Sequence, residues 1–336
     1  MSVPVVAFFN NKGGVGKTSL TYHLSWMCRD LGLRVLAADL DPQANLSAAF
    51  LEDERLETLW GATPGKTIET CLAPLSRGTG DVISPAPEEI EEPLALLVGD
   101  IELSRFEDML SDAWPRCLDK HERSFRVMSA FSRVIQRGAN SYDADVVLMD
   151  LGPNLGAINR AALIAADYVA VPLSPDLFSL RGLSNLGPVL REWRSGWTDR
   201  MNRFQPGGDL PLPAGRMEPI GYIVLQHSVR LDRPTKAYDR WIRAIPQTYG
   251  RDVLGDPTAE SVPLANDPNC LALIRHYRSL APLAQEARKP IFHLKPADGA
   301  IGAHQQAVEG ARQHFEALAR RILGRIGVSV PNDTTC

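Results

Sequence analysis

Short runs of Val, Leu, Ile and Ala bounded by turn residues alternate with amphipathic stretches along most of the chain. The runs predict strands at Val3 to Phe9, Arg34 to Ala38, Leu94 to Val98, Val146 to Met149, Tyr168 to Pro172 and Ile220 to Leu225. Between them, Leu20, Leu24, Met27 and Leu31 recur at helical spacing over Thr18 to Leu31, and Gly32 supplies the stop. A second helix is expected over Leu180 to Trp193. A third, over Gln305 to Arg325, puts Phe315, Leu318, Ile322 and Ile326 on one stripe, with Arg320, Arg321 and Arg325 off it. Alternating strands and helices define an α/β fold, a doubly wound and mostly parallel sheet with helices on both faces. Ligands of such sheets lie beyond the carboxyl ends of the strands, where most runs here end in polar residues.

Two stretches break the alternation and read as linkers or surface insertions. These are Glu52 to Pro93, rich in Pro, Gly and acids, and Phe204 to Pro219. Neither divides the chain, so one domain is expected over residues 1–330, with a variable acidic insertion at about 52–93 and a tail at 331–336.

The 336 residues are 44% hydrophobic and 23% charged, ordinary values for a folded globular chain. The chain opens on Met1-Ser2-Val3-Pro4 with no basic, apolar or small-residue leader, and no apolar run approaches the roughly 20 residues of a membrane span. Cys28, Cys71, Cys117, Cys270 and Cys336 are scattered without a C-x-x-C pair, as expected of reduced thiols. A cytoplasmic protein without structural zinc is therefore expected. The net charge of -4 is unevenly spread: Asp81 to Glu122 holds 12 acids and 3 bases, whereas Arg181 to Cys336 holds 21 bases and 15 acids. That excess suffices for a basic patch.

Candidate chemistry concentrates between the first strand and the first helix, in Asn10-Asn11-Lys12-Gly13-Gly14-Val15-Gly16-Lys17-Thr18-Ser19. Glycines let successive N–H groups curl around phosphates, and the helix that follows adds its positive end. Lys17 is placed for the β- and γ-phosphates, and the Thr18 hydroxyl for Mg²⁺. The general G-x-x-x-x-G-K-[ST] pattern needs Gly at position 11, where this chain has Asn. Asn tolerates left-handed backbone angles, so the loop is still expected to form.

The second strand ends Asp39-Leu40-Asp41-Pro42-Gln43-Ala44-Asn45, with two carboxylates at i and i+2 facing the same way. The apolar run Val146 to Met149 is capped by Asp150, which fits a magnesium-holding carboxylate opposite Thr18.

A lysine just ahead of the glycine pair, in K-G-G-x-G-K-[ST], resembles the deviant phosphate loop of the ParA/MinD family. D-x-D-P-Q-x-N from Asp39 is similar to a segment of that family too, as are Leu94 to Leu110 and the stretch from Ala166 to Leu183. The resemblance implies a SIMIBI-like P-loop ATPase that binds ATP and Mg²⁺ through Asn11 to Ser19. It implies a homodimer sandwiching the nucleotide, with Lys12 reaching the partner's phosphates. Asp41 would position or deprotonate the attacking water, and Asp39 would support the magnesium shell or the loop. The ATP dimer would bind DNA without sequence preference and associate with the nucleoid, and a ParB-like activator would stimulate hydrolysis. Candidate DNA contacts are Arg230, Arg233, Lys236, Arg240 and Arg243, several at i, i+3 and i+7 spacing. Gln226-His227-Ser228 departs from the family's Met-Tyr-Asp at the nucleotide-base loop.

Two other functions share this scaffold. A MinD-like positioning ATPase would lay Phe315 to Ile326 on anionic lipid. A metabolic or metal-cluster enzyme would use Cys71 and Cys117, although neither sits in a cluster signature.

Overall fold

The computed structural model describes residues 2–61, 64–204, 210–227, 236–275, 277 and 279–331. Eight strands form one sheet: β1 (Val5–Phe8), β2 (Val35–Asp39), β3 (Glu88–Glu91), β4 (Leu94–Leu97), β5 (Val146–Asp150), β6 (Tyr168–Leu173), β7 (Glu218–His227) and β8 (Cys270–Arg275). Their order is β3-β4-β2-β5-β1-β6-β7-β8, and every pair except β3–β4 is parallel.

The helices are α1 (Lys17–Asp30), α2 (Asn45–Phe50), α3 (Asp53–Trp60), α4 (Ile68–Arg77), α5 (Phe106–Arg116), α6 (Glu122–Met128), α7 (Ala130–Ser141), α8 (Ala157–Ala165), α9 (Leu177–Arg203), α10 (Lys236–Thr248), α11 (Leu280–Glu286) and α12 (Ala303–Ile326). Alternate residues of each strand face opposite layers. Val5, Ala7, Leu36 and Ala38 pack with the layer that contains α4 to α9. Val6, Phe8, Val35 and Ala37 pack with α1, α2 and α12. Both faces are covered, which is why the parallel strands read as unbroken apolar runs.

The expected doubly wound sheet is thus present, with strand bounds within two residues at most ends. The stretch 52–93 is more than a linker: it builds α3, α4 and β3, and buries Leu56, Leu59, Ile68, Leu72 and Leu75. β3 carries only one apolar residue, and its Glu91 and Glu88 pair with Arg29 and Arg55, while Glu92 just past the strand pairs with Arg34. It adds to the sheet's edge through its backbone, which hydropathy does not register. Helix α9 runs ten residues past Trp193 because Trp197 and Arg200 remain buried beyond the polar Arg194-Ser195-Gly196. The stripe Phe315, Leu318, Ile322 and Ile326 of α12 is buried against the sheet, not presented outward. Among the described residues no helix is long and apolar enough to cross a membrane.

Candidate phosphate-binding site

The turn from β1 into α1 lies at the carboxyl edge of the sheet. Gly14 and Gly16 have φ of +70° and +86°, the left-handed region that glycine enters without steric penalty. Asn11 is not left-handed, so the angle expected there falls on the glycines instead. Helix α1 has no side-chain cap and no acid in its first turn, leaving its first N–H groups for an anion. The loop is braced from behind by Asn10, a residue the sequence reading did not single out. Its Nδ2 donates to the Pro172 carbonyl (2.7 Å) and its Oδ1 accepts from the Lys12 N–H (3.0 Å). Gly182 of α9 presses on the same spot: a Cβ there would fall 2.9 Å from Asn11 Oδ1.

Lys17 is buried, and its Nζ donates to the Lys12 carbonyl at 3.3 Å. Burial lowers its pKa, while Asp150 and Asp41 oppose the shift. The Lys12 ammonium points to the side, pairing with Asp176. Val15 is buried, whereas Gly13, Gly14 and Ser19 stand at the surface.

The three carboxylates come together but differ in their partners. Asp39 and Asp150 sit opposite one another on neighbouring β2 and β5. Asp39 is fully buried and its Oδ2 accepts from both the N–H and the hydroxyl of Ser47, each at 2.8 Å. The Ser47 Oγ in turn accepts from Gly99 N–H. Burial pushes the Asp39 carboxyl up to about 7 despite the Ser47 hydrogen bonds, with Asp41 adding to the rise. Asp41 Oδ1 accepts from the Gln43 N–H at 3.0 Å, an Asx turn that fixes the strand end.

Asp150 is also fully buried, and neither of its oxygens has a full hydrogen-bond partner among the described residues. Burial pushes it up to about 8, Asp39 pushes further, and the nearby Thr18 hydroxyl offsets only part. An unpaired buried carboxylate is costly, and proteins retain one where a cation is to be held. Thr18 and Asp150 are therefore the residues here that could hold a divalent cation. Among the described residues no three His, Cys, Asp or Glu side chains form a cage of their own.

Beside the loop opens an apolar cleft of about 180 Å³, lined by Gly16, Ser19, Leu225, Ile274, Tyr277 and Phe315. Of these, Gly16 and Ser19 were legible as site residues, whereas Leu225, Ile274, Tyr277 and Phe315 were not. A larger cleft of about 660 Å³ lies between α5 and α6, and none of the phosphate-loop residues line it. Of the candidate DNA contacts, Arg230 and Arg233 lie outside the described residues and Lys236 opens α10. Arg240 and Arg243 are exposed on that helix. Cys71 and Cys117 are buried thiols in the core.

A glycine turn between a central parallel strand and an uncapped helix, flanked by strand-end acids, defines a P-loop nucleoside triphosphatase scaffold. The family described as AAA domain (AAA_31) matches residues 3–202. Among curated relatives, the chain is 33% identical over 236 residues to the putative replication protein A of Rhizobium rhizogenes, covering 65% of this chain and 54% of that protein. It is 31% identical over 198 residues to the chromosome partitioning protein ParA of Caulobacter vibrioides, covering 59% of this chain and 66% of that protein. The chain thus spans about half to two thirds of these relatives' lengths. The solved ATP complex of a Cyanothece McdA variant shares the fold, with a TM-score of 0.60 at 14% identity over 98% of both chains. The chain belongs to the ParA/MinD family of P-loop ATPases.

Proposed function

We propose that this chain is a ParA-like, Mg-ATP-dependent switch that pairs with a second copy around the nucleotide. In that state it binds DNA without sequence preference, and hydrolysis releases it, so that repeated cycles partition DNA or position a cargo. The observation that carries the reading is the buried, unpartnered Asp150 carboxylate beside Thr18 at the mouth of the glycine turn.

Each residue then has a role that its surroundings support. Loop N–H groups and Lys17 hold the β- and γ-phosphates. Thr18 and Asp150 hold magnesium, which when bound neutralises phosphate charge, while Asp39, tied to Ser47 and Gly99, buttresses the strand end. Asp41 orients the attacking water and takes its proton. Lys12 reaches across to the partner's phosphates, and a ParB-like protein acts as activator.

A second copy as occupant of this face fits its surface. Ile101, Leu155, Leu177 and Phe178 are large, exposed apolar residues just beyond the carboxyl ends of β4, β5 and β6. Phe178 is 71% exposed. Apolar side chains around a polar centre are the composition of a protein interface.

The test combines fluorescent ATP binding, sedimentation velocity and a DNA mobility shift. Mg-ATP should bind, convert monomer to dimer and confer DNA retention that weakens steeply with salt. Lys17→Ala should lose binding by about a hundredfold or more. Normal ATP affinity with no dimer at any concentration would defeat the switch, and a dimer indifferent to DNA would defeat the partition role alone.

A further inference from the structure

The loop at residues 151–156 joins Asp150 to α8 and touches both halves of the site. A Cβ on Gly152 would lie 3.2 Å from Asp41 Oδ1, and one on Gly13 would lie 3.9 Å from Pro153. Pro153, Asn154 and Leu155 are otherwise exposed, so the loop is held mainly at its ends. From the α8 side, Asn159 Nδ2 donates to the carbonyls of Gly152 (2.9 Å) and Asn154 (2.7 Å).

The helix that ends the loop has no cap of its own. Its cap position is Gly156, whose N–H donates back to Asn154 Oδ1. The missing acceptor arrives from another helix. Glu107 of α5 places Oε1 2.6 Å from the Ala157 N–H and Oε2 2.8 Å from the Ile158 N–H, one oxygen for each of the first two orphan donors. The fit requires glycine at 156, where a Cβ would stand 2.7 Å from Glu107 Oε1. A second contact joins the same helices, the Arg160 guanidinium lying 4.7 Å from the Trp114 ring centre.

Helix α5 is itself tied to the far acid of the site. It follows the short turn 101–105, which begins at Asp100. Asp100 accepts from Thr67 Oγ1 (2.8 Å) and caps Glu102 N–H. One residue earlier, Gly99 donates to Ser47, the residue that holds Asp39.

We infer that Glu107 is a positioning residue for the phosphate site: its carboxylate, capping α8 from α5, fixes the 151–156 loop against Asp41 and the glycine turn. The inference rests on the proposed ATPase reading, which makes this loop the wall facing the terminal phosphate. Among the described residues Glu107 makes no hydrogen bond to the glycine turn or to Asp41, so it acts through the loop. Its loss should impair turnover without impairing the grip on the nucleotide diphosphate.

The test uses the full chain, with a fluorescent ADP analogue plus magnesium as probe. Deuterium exchange over residues 151–159, steady-state turnover and ADP-analogue affinity are measured for wild type, Glu107→Ala and Glu107→Gln. Glu107→Ala should speed exchange in 151–159 by about tenfold or more while other helices keep their protection. It should lower kcat by about tenfold and leave ADP-analogue affinity within about twofold. Glu107→Gln, isosteric and able to accept at one oxygen only, should fall between and guards against a variant that fails to fold. The inference is overturned by unchanged exchange at 151–159, by a rise spread over the whole chain, or by affinity falling in step with kcat. A wild type without turnover would remove the ATPase reading, while the exchange result would still decide whether Glu107 holds the loop.

Discussion

Lys12 and Asp176 are joined by an ion pair, Nζ to Oδ2 at 2.5 Å, linking the glycine turn to the start of α9. The same carboxylate caps that helix, its Oδ1 accepting from the Ser179 N–H at 2.9 Å. Both side chains are about one-third exposed, so the pair contributes only about 0.5 kcal/mol, a hold easily broken by a better anion. If Lys12 reaches a partner's phosphates, Asp176 competes for it. Asp176→Asn should then raise the ATP-dependent dimer fraction a few-fold at low salt, and Lys12→Ala should depress it below wild type. Sedimentation velocity reads both, and identical dimer fractions for Asp176→Asn and wild type at all salt concentrations would rule out the competition.

Asp41→Ala removes the carboxylate beyond β2 that faces Gly152 of the 151–156 loop, while leaving the glycine turn and Lys17 in place. ATP affinity should stay within a few-fold, hydrolysis should fall by about a hundredfold, and the dimer should persist after ATP addition. Phosphate release and gel filtration check this. A variant that hydrolyses at the normal rate would mean that another group handles the water.

Gly99→Ala puts a methyl 2.8 Å from Asp39 Cγ and 2.9 Å from its Oδ2 in a fully packed environment. Asp39 cannot retreat without losing Ser47. A loss of about 1 to 3 kcal/mol in urea unfolding is expected. A matching loss of magnesium-dependent ATP affinity would show that the Asp39 network supports the site as well as the fold.

His23 sits fully inside the protein, stacked on Phe315 with ring centres 4.8 Å apart. Its Nε2 accepts from the Ile291 N–H, which leaves Nδ1 to donate to the Ser19 carbonyl. Burial lowers its pKa to about 4. The unfolded chain therefore takes up a proton near pH 6.5 that the folded chain refuses until about pH 4. Stability from this group is complete above pH 6.5 and is lost as pH falls through that window. Between pH 7 and pH 5 the loss is about 2 kcal/mol. His23→Phe should reduce overall stability yet flatten the pH dependence by that amount in urea melts, and an unchanged slope would contradict the assignment.

The parallel sheet could be read from residues because strands buried on both faces must be apolar throughout, and the phosphate turn because only glycine suits its backbone. β3 joins the sheet through backbone hydrogen bonds while showing glutamates to solvent. Asn10 braces the turn through side-chain bonds that involve no recognisable spacing. Glu107 acts on a helix 50 residues away in sequence. The aspartates looked alike in sequence, and their partners distinguish them: Ser47 saturates Asp39, Gln43 holds Asp41, and Asp150 is left open.

The glutamate-lined β3 bears on solubility in the cell. A sheet border with free amides and carbonyls invites other chains to add strands, a hazard that grows when a protein is gathered at high local density. Charged side chains at the exposed positions Glu89 and Glu91 of such a border discourage that addition. Neutralising Glu89 and Glu91 would be the change to watch for fibre growth under crowded conditions.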